Sequence, residues 1–147
     1  EPLRWRKKMS IADFSNKKIL ICYIDKSINE LADGKPWRKD LFDCVSKYWE
    51  IPDIVTANSA DFVIGVNAAK TIMIVAKPNE QGWQKVKNIS KIKDEEPAKK
   101  LAERYAFEGN ELPEMKEFLG KTLPSNIKFP KGVSYPLLCV NGEIIDW

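Results

Sequence analysis

The stretch that decides the fold runs Asp61-Phe62-Val63-Ile64-Gly65-Val66-Asn67, crosses Ala68 and Ala69, and continues Lys70-Thr71-Ile72-Met73-Ile74-Val75-Ala76-Lys77. Two apolar, β-branched runs separated by a very short connection are the pattern of a β-hairpin. Phe62, Ile64 and Val66 share one face with Val63 on the other, and Ile72 and Ile74 oppose Met73 and Val75. Side chains alternate across a strand, so apolar residues of both parities mean that both faces are covered. The hairpin is therefore predicted to be central in its sheet. A two-residue type I′ turn needs positive φ values that alanine avoids, so a longer or bulged turn near Asn67 is expected.

Outward from the hairpin, Lys17 to Ile24 is an apolar, β-branched run that fits a mostly buried strand. Asp25 to Lys35, with Asn29, Asp33 and Gly34, reads as a connection. Pro36 suits the first turn of a helix whose apolar stripe would be Trp37, Leu41, Cys44, Val45, Tyr48 and Trp49, ending near Glu50. Downstream, Pro78 to Gly82 predicts a turn, Trp83 to Ile89 a weak strand, and Asp94 to Tyr105 a helix carrying Ala98, Leu101, Ala102 and Tyr105. Asn110 is expected to cap a short helix with Leu112, Met115, Phe118 and Leu119 on one face, stopped by Gly120. Asn141-Gly142 is the preferred type I′ pair and predicts a C-terminal hairpin within Pro136 to Trp147. The sum is an α+β fold: residues 1–16 as a tail or first-turn segment, and 17–147 as one domain with two or three helices.

Composition narrows the chemistry. There is no histidine among the 147 residues, which removes Ser-His-Asp and Cys-His nucleophile pairs and histidine general bases. Cys22, Cys44 and Cys139 are widely spaced within apolar runs, read as buried thiols in a reducing, cytoplasmic setting, and form no Cys-x-x-Cys pair. Neither a metal nor another cofactor is expected. The longest apolar runs fall far short of the roughly 20 residues of a spanning helix, and no apolar core follows the basic N-terminal residues, so neither membrane nor secretory signal is expected. A net charge of +3 with 31% charged residues permits a nucleic-acid partner without requiring one.

Four patterns could carry chemistry. Asp61 with Val75-Ala76-Lys77 has the layout of a PD-(D/E)xK nuclease hairpin, but Val75 stands where the second metal-binding acid belongs. The simpler reading is that Asp61 and Lys77 are hairpin ends. Asp94, Glu95, Glu96, Glu103 and Glu108 read as solvated charge around a helix start. Trp49, Trp83 and Phe107 with Arg104 could stack a base, against the alternative that they pack a core; Trp83, after Gln81-Gly82, is expected to be the most exposed. Arg4-Trp5-Arg6-Lys7-Lys8 could lie on a phosphate backbone or form a loose tail.

The succession Tyr48-Trp49, Ala60 to Val66, Ile72 to Val75, Trp83, Arg104 to Gly109 and Phe118 to Lys121 resembles an uncharacterised prokaryotic domain. That domain follows the catalytic half of some GIY-YIG endonucleases and also stands alone. The resemblance spans roughly Lys17 to Leu123, and departs from the pattern at Ala68-Ala69-Lys70, where a glycine is usual. No GIY or YIG motif is present, Tyr23-Ile24-Asp25 being only superficially similar, so the nuclease activity does not carry over. The order of elements is also similar in outline to PUA-like barrels of the ASCH and EVE kind, which bind RNA or modified bases. The sheet is thus expected to be small and mixed or antiparallel, or a PUA-like barrel. The resemblance implies a non-catalytic accessory module that binds DNA or RNA, with Trp83, Arg104, Phe107 and Trp49 near a concave site and Lys85, Lys87 and Lys121 on phosphates. The alternatives are a metal-dependent phosphodiesterase using Asp61, and a protein-interaction subunit using the edge at Ile144-Ile145-Asp146-Trp147.

Overall fold

The computed structural model describes residues 14–130 and 134–147. Its centre is a six-stranded sheet built from β1 (Lys18–Tyr23), β2 (Phe62–Val66), β3 (Ile72–Lys85), β4 (Tyr105–Glu111), β5 (Leu137–Val140) and β6 (Glu143–Ile145), in the order β4-β3-β2-β1-β5-β6. β1 and β2 run parallel, and every other neighbouring pair is antiparallel. The sheet is therefore mixed and open, with β4 and β6 as its edges, and not closed into a barrel. Ile19 to Cys22 and all of β2 are buried, as strands covered on both faces require.

The hairpin lies where its apolar pattern put it, between β1 and β4. Its turn is longer than two residues: Lys70 takes the positive φ of 62°, and the Asn67 carboxamide accepts the amides of Ala69 and Thr71 at 3.0 Å each. A register shift opposite Gly65 and Val66 makes Met73 an extra residue in β3. That bulge corrects the expected facing: Ile72 and Val75 pack together on one side, and Ile74 points to the other.

The parallel β1–β2 connection holds α1 (Asp25–Ala32), α2 (Leu41–Ser46) and α3 (Ile54–Asn58), which cover the face carrying Leu20, Cys22, Val63 and Ile74. On the opposite face Ile19, Ile21, Phe62, Ile64 and Val66 are sealed by Phe118, Leu123 and Ile127, and by Phe14. Phe14 is fully buried, so the domain starts before residue 17; Arg4 to Lys8 lie outside the described residues.

Several local expectations give way to tertiary context. Asp25 to Ala32 is a helix rather than a connection. The helix expected from Pro36 to Glu50 shrinks to α2, because extended Asp40 caps the Asp43 amide at 3.0 Å while the Asp43 carboxylate takes the Lys39 amide at 2.7 Å. Trp83 to Lys85 continues β3 rather than starting a new strand, and Val86–Asn88 is a single 3-10 turn. The helix expected to reach Tyr105 is only α4 (Glu96–Lys100); Tyr105, Ala106 and Phe107 instead pair with Lys85, Gln84 and Trp83. Asn110 lies in β4, not at a helix start, and Pro113–Phe118 is a 3-10 helix that leaves Leu119 exposed. Four α-helices are thus present among the described residues, more than expected. The C-terminal hairpin forms as predicted, with Asn141 and Gly142 both at positive φ.

Candidate functional site

The residues first expected to form the site are mostly consumed by the fold. Trp83 is 2% exposed, the reverse of the exposure expected for it, and its ring meets Phe107 edge-on at 4.7 Å between centroids. Phe107 is equally buried and also meets Phe42 edge-on at 5.6 Å. The cause is strand pairing: Trp83 and Phe107 are register partners in β3 and β4, beneath α2. Lys85 and Lys87 both bind Glu103 at 2.6 Å. Their hydrogen bonds hold the Glu103 carboxyl down at about 2 and raise the Lys85 ammonium. Lys121 uses its backbone carbonyl to accept the Ile72 amide at 2.8 Å and does not line the main cleft.

The Asp61 to Lys77 arrangement is likewise structural. The Asp61 carboxylate accepts the Lys18 amide at 2.8 Å, and Lys77 donates to the Asp61 carbonyl at 3.3 Å. The acids that looked clustered in sequence disperse, Glu95 to Lys47, Glu103 to Lys85 and Lys87, and Glu108 to Lys91. Among the described residues no three Asp, Glu or Cys side chains converge as metal ligands would. Cys22, Cys44 and Cys139 are buried free thiols, and burial pushes Cys44 up to about 11. No helix among the described residues is long and apolar enough to cross a membrane.

Among the described residues a cleft of about 850 Å³ is walled by α1, the loop before α2, the residues after α2, the hairpin turn, α4 and residues 128–130. Of the expected site residues only Trp49 and Arg104 reach it. Trp49 is held by its indole N–H on the Val45 carbonyl at 2.9 Å and is 6% exposed. Arg104 lies 3.7 Å from Glu50 and donates to the Tyr48 carbonyl at 3.4 Å.

One wall of the cleft is a buried polar network. Arg38, 7% exposed, donates from Nε to Glu30 Oε1 at 3.0 Å and from Nη1 to the Asp43 carbonyl at 2.7 Å. Trp37 Nε1 shares the same Glu30 oxygen at 3.3 Å. Lys47, also 7% exposed, spends its ammonium on Glu95 at 2.8 Å, Asp43 at 3.4 Å and the Trp37 carbonyl at 3.3 Å. The Arg38 guanidinium lies 5.1 Å from the Tyr48 ring centre. Tyr48 has φ of 72°, a left-handed conformation that is strained for an aromatic residue. After this turn the Trp49 backbone bridges to Tyr105 while its indole bonds back to Val45 of α2. Burial, with Glu95 nearby, pushes the Tyr48 phenol well above its ordinary range, and its hydroxyl has no hydrogen-bond partner among the described residues.

The cations reaching the cleft are Lys26, Arg38, Lys47, Lys70, Arg104 and Lys128, against Glu30 as the one carboxylate in its described lining. Aromatic surface comes from Tyr23, Trp37, Tyr48, Trp49 and Phe129. Sequence reasoning missed most of these. The run Lys35-Pro36-Trp37-Arg38-Lys39, basic residues interleaved with an indole, is the signal available, but it straddles the end of the expected connection and the start of the expected helix. Comparison with protein-family models, with curated proteins and with solved structures finds no match to this chain.

Proposed function

We propose that the protein is a binding module for single-stranded nucleic acid, with the α1–hairpin–α4 cleft as its site. The observation that carries this reading is that Lys26, Lys70 and Lys128 line the cleft with no carboxylate partner among the described residues, beside the half-buried rings of Tyr23, Trp37 and Phe129. Phosphates are held by Lys and Arg, and unstacked bases by aromatic and guanidinium planes. Single strands fit the reading better than duplex, because ring faces inside a cleft are reached only by unpaired bases. Glu30 already accepts two hydrogen bonds on one oxygen, and no second acid stands beside it in the described lining, which favours binding over acid–base turnover.

Fluorescence anisotropy with single- and double-stranded DNA and RNA oligonucleotides tests this. Binding is expected to fall with added salt, and Lys26→Ala and Lys128→Ala, both at exposed cleft positions, each to lower the logarithmic salt slope by about one. Lys85→Ala and Lys87→Ala, whose ammonium groups are bound to Glu103, are expected to change it much less. Absence of salt-dependent binding, or an equal loss from both pairs of variants, refutes the assignment.

A further inference from the structure

We infer that the cleft encloses one nucleotide, with a phosphate end and a base end, so that a free nucleoside monophosphate suffices as ligand; this deepens the nucleic-acid reading and rests on it. The volume, about 850 Å³, is that of a small-molecule site, typically ~300–1,000 Å³. Strand-binding grooves instead track about 4–16 nucleotides along the backbone.

The phosphate end lies where the hairpin turn meets the segment after Ile127. Lys70 Nζ donates to the Ile127 carbonyl at 2.8 Å, and the Phe129 ring packs on Tyr23 at 5.3 Å. The Ala68 amide donates to Asp25 at the start of α1 at 3.0 Å, tying the turn to that helix. These contacts bring the chain at Lys26, Lys70 and Lys128, all three lining the cleft, close together. Lys26 and Lys128 are exposed and have no ion-pair partner among the described residues, so their charge is available to a phosphate.

The base end is the Trp37–Arg38–Glu30 wall. Arg38 is more than nine-tenths buried, yet its Nη2 has no hydrogen-bond partner among the described residues. Glu30 takes both Trp37 and Arg38 on Oε1, and its Oε2 accepts from no described residue. One ion pair therefore offers one unused donor and one unused acceptor in the cleft wall. Every nucleobase carries a neighbouring donor and acceptor on its pairing edge, which an unstacked nucleotide can present. Trp37, half-buried, supplies a ring face beside them.

Calorimetric titration of the full chain with AMP, GMP, CMP and UMP, their nucleosides and ribose 5-phosphate tests the inference, alongside competition against a labelled oligonucleotide. At least one monophosphate should displace the oligonucleotide and bind about tenfold tighter than both its nucleoside and ribose 5-phosphate. The Lys26→Ala and Lys128→Ala double variant should remove the advantage over the nucleoside. Glu30→Gln should alter the ranking of the four bases by about tenfold. Its urea midpoint is read beside binding, since Arg38 loses its counter-ion; if that variant does not fold, the exposed lysine pair still decides the phosphate end. If the oligonucleotide binds while no monophosphate competes, or ribose 5-phosphate matches the nucleotides, the one-nucleotide pocket is overturned and the nucleic-acid reading stands. If monophosphates bind and oligonucleotides do not, the strand-binding reading falls and the inference that rests on it falls with it. If neither binds, both fall.

Discussion

Around Trp83 and around Trp37 the protein combines an indole with basic side chains, with opposite results. Trp83 is sandwiched at the β3–β4 pairing against Phe107, and the nearby Lys85 and Lys87 are saturated by Glu103. Trp37 stands half-buried in a loop, its N–H on Glu30, and lines the cleft with Arg38 and with lysines from α1, the hairpin turn and residue 128. The difference lies in what holds each group. Strand pairing sets Trp83 edge-on against Phe107, and Glu103, just before β4, takes both Lys85 and Lys87. At the cleft Arg38, Lys47 and Arg104 are also ion-paired, but Lys26, Lys70 and Lys128, from three separate elements, have no carboxylate partner among the described residues.

The sharpest way to break the comparison is to truncate both indoles. Trp83→Ala should destabilise the fold by ~3–5 kcal/mol, as large buried aromatics do, while the folded fraction keeps its oligonucleotide affinity. Trp37→Ala should cost far less stability but weaken binding by ~1–3 kcal/mol if a base stacks there. Urea denaturation and anisotropy on the same samples separate the two effects. Equal stability losses would dissolve the distinction between core and cleft.

A smaller effect is expected from the turn before Trp83. Gly82 has φ of +67°, and a Cβ there would come 2.3 Å from Asn58 Oδ1, the atom that accepts the Trp83 amide at 2.7 Å. Gly82→Ala should cost ~1–3 kcal/mol through strain and loss of that bond, again without altering binding. A neutral urea midpoint would show that Asn58 and the turn relax freely.

The smallest effect concerns the saturated lysines. Glu103 is lowered from an ordinary 4.5 to about 2, first by its hydrogen bonds from Lys85 and Lys87. A carboxyl lowered on folding stabilises the native state above its unfolded value, and that contribution is lost as pH falls from about 4.5 through about 2. Glu103→Gln should flatten this part of the stability profile and leave pH 7 to 9 nearly parallel to the parent. Because the pair is fully exposed, added salt should shrink the difference. A salt-insensitive difference would mean that more than this ion pair had been disturbed.

Much of the sheet was legible before any coordinates. The both-sided apolar runs of Phe62–Val66 and Ile72–Ala76 required a covered, central hairpin, and they form one. Asn141-Gly142 specified a tight turn and the backbone adopts it. The three cysteines are buried, as their apolar neighbours implied. The errors share a cause. Ala98, Leu101, Ala102 and Tyr105 are helix-compatible in spacing, but Tyr105 opens a strand because β3 runs on to Lys85 and offers it an edge. The stripe from Trp37 to Trp49 fitted one helical face, but Asp40 and Asp43 start the helix late and Tyr48 turns the chain after it.

By itself the sequence determined an α+β domain with a central hairpin, buried thiols and no histidine chemistry, because alternation, turn preferences and composition are properties of neighbouring residues. Only the tertiary structure decided which aromatics and cations share a site. Trp83 went into the core, and Tyr23, Trp37, Lys70 and Lys128, dispersed over more than a hundred positions, came to one cleft. That meeting depends on the parallel β1–β2 pairing and on the helices its long connection carries across the sheet. Such non-local contacts leave no periodic trace in the chain.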